Sequence, residues 1–125
     1  MLKYLMVGLG GCLGSVVRFW VGSYVGSKMG VRFPYGTLLI NITGSFAIGM
    51  ILTLFGLKTH WSPNWRYLAS IGFLGGYTTF SSFEYETLRT IQDGQVGLGI
   101  LYVGLSVFVG FVAVWGGVIA GRALS

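Results

Sequence analysis

Few side chains in this 125-residue sequence have chemistry to offer, and those that do are mostly neutral. Asn41 is the one strong hydrogen-bonding side chain in a long apolar run, and its amide can donate. Tyr102 and Ser106 stand four apart in another such run, which places both on one face of a helix. Phe80 and Phe83 are three apart and share a face as well, with ring edges that carry the positive part of the aromatic quadrupole. Neutral donors and ring edges suit a small anion that must bind and then leave, because they attract it without the deep trap a lysine would make. Catalysis is a poor match. His60 is the only histidine, Cys12 the only cysteine, and the acids are Glu84, Glu86 and Asp93, so neither a nucleophile–base pair nor a cluster of metal-ligating side chains can be assembled. The chain reads as a protein that is not an enzyme.

Those residues lie in segments built for lipid. The chain is 54% hydrophobic and 9% charged, with a mean hydropathy of +0.76, whereas a soluble domain carries about 25% charged residues. Four apolar segments are expected at about 4–25, 36–57, 64–87 and 96–120, each long enough to cross about 30 Å of hydrocarbon as a helix. Nothing in them alternates as a barrel strand would. The reading is therefore one all-α transmembrane domain covering 1–125. "MLKYLMVGLGGC" looks superficially like a lipoprotein signal, but its apolar run before Cys12 is short and continues beyond it as membrane segment. The net charge of +5 comes from single, scattered basic residues with no patch or stripe for nucleic acid.

The connections carry helix punctuation. Ser62-Pro63 fits an N-cap and first helical residue, Asp93-Gly94 a turn, and Trp61, Trp65 and Tyr67 an interfacial belt. Gly10–Gly14, Gly22–Gly26, Gly72–Gly76 and Gly117–Gly121 have the spacing that lets helices approach closely. Glu84 and Glu86 read as solvated ends of the third span.

One stretch breaks the pattern. "LGGYTTFSSF" (Leu74–Phe83) puts two glycines, two threonines, two serines and a tyrosine inside the third span. Gly75 and Gly76 together cost about 2 kcal/mol of helix propensity relative to alanine. Thr78 and Thr79 are β-branched, with hydroxyls that can bond local backbone. A break mid-membrane is expected here, freeing carbonyls toward a cation and directing the positive end of the following half-helix at an anion.

Basic residues give little orientation. Lys3, Lys58, Arg66 and Arg122 would lie on one side, and Lys28, Arg32 and Arg89 on the other, joined by Arg18 if it reaches that interface. With the positive-inside rule nearly balanced, two copies could insert oppositely and pair about an axis in the membrane plane; a weakly biased single orientation is the alternative. Arg18 lies 15 residues beyond Lys3, about 22 Å along a helix. Two roles remain open for it, an electropositive vestibule that attracts anions or a snorkelled anchor.

"GGCLGSVVRF" (Gly10–Phe19), "GTLLINITGSFAIG" (Gly36–Gly49) and "GFLGGYTTFSSFEYE" (Gly72–Glu86) resemble the three signature stretches of the Fluc/CrcB fluoride channels, in order and over the whole chain. The resemblance implies a dual-topology, antiparallel homodimer in the bilayer, with two fluoride pores and a third helix broken mid-membrane. It implies that Phe80 and Phe83 are the ring-edge contacts and that Asn41 and Thr79 lie on the fluoride path. Tyr102 and Ser106 match the start of a polar track that Gly110 and Val114 do not continue. Carbonyls of Gly75 and Thr78 from both copies would hold a central sodium ion, and Arg18 matches the family arginine. Passive export of fluoride across the cell (inner) membrane of a microbe would follow. A proton-coupled multidrug exporter of similar size would need an embedded carboxylate in its first span, which is absent here. A membrane scaffold held by glycine faces would leave the donors and the break unexplained.

Overall fold

The computed structural model describes residues 1–125, all of them helical apart from caps, short connections and one interruption. Helix α1 spans Leu2–Met29 and α2 spans Tyr35–Leu57. The third apolar segment is two helices: α3, residues 63–77, and α4, Ser81–Gln92, separated by a non-helical 78–80. Helix α5 covers Val96–Leu124. Only α1, α2 and α5 are single helices long and apolar enough to cross a membrane, because the interruption divides the third segment. The chain is thus a multi-pass membrane protein.

Helix ends follow local chemistry. Ser62 Oγ accepts from the Asn64 amide at 3.3 Å, with Pro63 as the first helical residue, so the expected cap forms. Gly94, at φ +85°, makes the turn after Asp93. Helix α1 continues past the expected Val25 to Met29 and stops at Gly30, φ +81°. Apolarity marks the lipid-crossing stretch and says little about where a helix ends in water, whereas the left-handed glycine does.

Two packed pairs make the core: α1 on α3, and α2 on the second half of α5. Backbone meets backbone in both. A Cβ added at Gly72 would lie 2.8 Å from the Val7 carbonyl oxygen, and one at Gly76 would lie 2.6 Å from that of Gly11. Gly117 and Gly121 press likewise on Phe46–Thr53 of α2. Such contacts replace the hydrophobic drive that lipid cannot supply. Of the Gly22–Gly26 pair only Gly22 packs this way within the chain: a Cβ added at Gly36 of α2 would lie 3.2 Å from the Gly22 Cα, whereas one at Gly26 would meet nothing within 4 Å. Stretches Tyr67–Leu74 and Leu105–Val109 are wide π-helical turns that no residue pattern announced.

Candidate ion pathway at the helix break

The G-x-x-x-G-x-x-x-R spacing becomes one face of α1. Gly10 and Gly14 lie against residues 68–77 of α3, and one further turn along, Arg18 Nε donates to the Gly76 carbonyl at 3.0 Å. In an unbroken helix that carbonyl would accept from the amide of residue 80. The guanidinium therefore takes an acceptor that the break sets free. Neither a free vestibular charge nor a snorkelled anchor describes this bond.

N-x-x-G on α2 faces the break from the other side. Asn41 Nδ2 donates to the Thr79 carbonyl and Asn41 Oδ1 accepts from the Thr79 amide, both at 2.9 Å. One turn later Gly44, which is buried, leaves room for the Thr78 methyl. Thr79 itself caps α4, its Oγ1 accepting from the Ser82 amide at 3.3 Å, and Thr78 Oγ1 donates back to the Leu74 carbonyl at 2.9 Å. The two threonines thus finish one helix and start the next, which is what hydroxyls beside the backbone do well. The carbonyls of Gly75, Tyr77 and Thr78 keep no hydrogen-bond partner within the chain.

The expected side chains divide between two clefts. One, of about 660 Å³, is lined by Asn41, Thr79, Phe80, Phe83 and Ser106, together with Gly75, Thr78 and one cation, Arg66. Phe80 and Phe83 lie with ring centroids 5.8 Å apart and planes at 51°. Phe80 is 69% exposed in the single chain. Ser106 Oγ is buried and has no hydrogen-bond partner; it sits in the wide turn Leu105–Val109. The second cleft, of about 600 Å³, is charged, lined by Arg18, Arg32, Glu86, Arg89 and Asp93. Thr79 is the one residue that lines both.

Tyr102 is not on the wall of the first cleft. It is completely buried, edge-on to Phe83 at 5.1 Å and to Phe33 at 5.6 Å. Its hydroxyl donates to Glu86 Oε1 at 3.4 Å. Glu86, half-buried at the wall of the charged cleft, is therefore more than a solvated span end: its carboxylate also meets the end of the otherwise neutral line. Sequence spacing could have suggested it, since Glu86 follows Phe83 by three and shares its helical face. Cys12 is exposed and free, and no three metal-ligating side chains come together.

The profile of the family described as CrcB-like protein, Camphor Resistance (CrcB), matches residues 5–118. The fluoride-specific ion channel FluC of Acidobacterium capsulatum is 50% identical over 123 residues, covering 98% of each chain. The protein of the same name from Solibacter usitatus is 45% identical over 97% of this chain and 99% of its own. One from Thermus thermophilus is 44% identical over 98% of this chain and 95% of its own. Likeness of this degree, end to end, leaves no room for a shared fragment alone: the chain belongs to the CrcB/FluC family.

Proposed function

We propose that this chain is a fluoride-specific channel of the cell (inner) membrane, passing the ion outward passively and so limiting its toxicity inside. Two copies, inserted in opposite orientations, pair so that each exposed Phe80 and each free break carbonyl meets the other copy. The near-balanced basic residues support that arrangement, as does the exposure of Phe80 and Gly75 in a single chain. The observation that carries the reading is the Ser106 hydroxyl, buried without a partner in the same cleft as the Phe80–Phe83 pair. A buried hydroxyl left unsatisfied costs about 1–3 kcal/mol, and such a group asks for a role. Beside positive ring edges, a small anion supplies the missing acceptor.

Along this path the ion would exchange water for ring edges of Phe80 and Phe83, the Ser106 hydroxyl and the second Nδ2 hydrogen of Asn41, with Thr79 at the threshold of the charged cleft. Tyr102, which is buried, and Glu86, which also lines the charged cleft, would stand beside it. The groups named as contacts are all neutral, and Arg66 is the one charged side chain lining the cleft, so the ion would be attracted without being trapped. The free carbonyls of Gly75 and Thr78 fit a monovalent cation, because neutral carbonyl oxygens of unwound membrane helices are suitable ligands for sodium. Bound at the two-fold axis, sodium would neutralise those orphan acceptors and join the two breaks. Expression in cells that lack fluoride export tests the function: growth in fluoride should be restored, and failure of a well-expressed protein to restore it would defeat the reading.

A further inference from the structure

Five carbonyls, those of residues 75–79, lose their helical partners at the break or stand beside it, and they are not treated alike. Gly76 is taken by Arg18 from α1, at 3.0 Å, and Thr79 by Asn41 from α2, at 2.9 Å. Gly75, Tyr77 and Thr78 are left free. We infer that Arg18 is a positioning residue: by holding the Gly76 carbonyl it fixes the peptide plane at the end of α3 and sorts the freed carbonyls, keeping Gly76 away from the cation and leaving Gly75 and Thr78 to it. This inference rests on the cation reading given above.

The guanidinium suits the task. Its fork is rigid and always charged, so a bond to a neutral carbonyl persists at any physiological pH. Arg18 reaches it along the Gly10–Gly14 face, where backbone contact sets the distance between α1 and α3. A positive group seated on Gly76 also repels a second cation from that carbonyl, which makes the choice of ligands exclusive. Lysine keeps the charge but presents a flexible point donor in place of the fork. Charge and positioning can therefore be separated.

The test compares Arg18→Lys and Arg18→Gln with the wild type, reading hydrogen exchange at the bonded amides of Thr79 and Ser82 in sodium and in N-methylglucamine, and fluoride flux across a range of fluoride concentrations. Positioning predicts that both variants exchange at least ten-fold faster at these amides, that sodium no longer slows the exchange, and that flux falls at least ten-fold at every fluoride concentration. Wild-type exchange and flux in Arg18→Lys, or an Arg18→Gln deficit that vanishes at high fluoride, would overturn it and mark Arg18 as a charge that merely attracts anions. If Arg18→Lys does not fold alone, a mixed dimer with one isotope-labelled variant copy gives the same two outcomes at that copy's break. A wild type that carries no fluoride would defeat the proposed function and leave the exchange comparison to decide the role of Arg18.

Discussion

Asn41 holds Thr79 by both sides of its amide, donating to the carbonyl and accepting from the N–H at 2.9 Å each. This is the bond pattern of a strand neighbour, delivered by one side chain to one residue of interrupted backbone. It makes Asn41 a keeper of the break as well as a candidate ion contact. Asn41→Asp retains the acceptor but turns a second acceptor toward the Thr79 carbonyl. The variant should lose about 1–3 kcal/mol, seen as a lower melting temperature in detergent, together with at least ten-fold of fluoride flux. Unchanged stability would show that the clamp does not form.

Glycine contacts give a sharper stability contrast. A Cβ at Gly76 would lie 2.6 Å from the Gly11 carbonyl oxygen, while one at Gly8 would meet nothing within 4 Å. Gly76→Ala should cost about 1–3 kcal/mol through overpacking, and Gly8→Ala should be neutral or stabilising by up to about 1 kcal/mol. Thermal unfolding of the two variants side by side checks the α1–α3 seam.

Much of this was legible beforehand. The break was, because two glycines and two threonines inside an apolar span leave helix propensity nothing to work with, and the structure interrupts the segment at 78–80. Spacing also marked which residues share a face: Gly10, Gly14 and Arg18 do, and so do Asn41 and Gly44. Spacing could not say what each face meets. The Arg18–Gly76 bond depends on how far α1 slides along α3, and the Tyr102–Glu86 bond on where α4 resumes after the break. The wide turn at Leu105–Val109 has no signature of its own, since it contains neither glycine nor proline and its apolar residues suit any buried helix, and it carries Ser106.

Ser106 should separate stability from function. Replacing its partnerless hydroxyl, as in Ser106→Ala, removes a buried unsatisfied group and should raise stability by about 1 kcal/mol. Flux should fall several-fold in the same protein. A variant that is both less stable and fully active would mean that the hydroxyl serves packing.

Orientation is open to a direct genetic test. Several lysines added at the N- and C-termini should drive every copy into one orientation and abolish fluoride resistance. Co-expression with a copy carrying its added lysines in the 30–34 and 93–95 connections should restore it. Full resistance from the first variant alone would exclude an antiparallel pair.

The decisive observation is fluoride release from liposomes loaded with potassium fluoride and carrying the purified protein, followed with a fluoride electrode after valinomycin is added. Wild-type protein should empty the vesicles promptly, and Phe80→Ile or Phe83→Ile should slow release at least ten-fold while remaining dimeric on size exclusion. No release from well-folded dimer, or equal release from both variants and wild type, would contradict a path for fluoride along those ring edges.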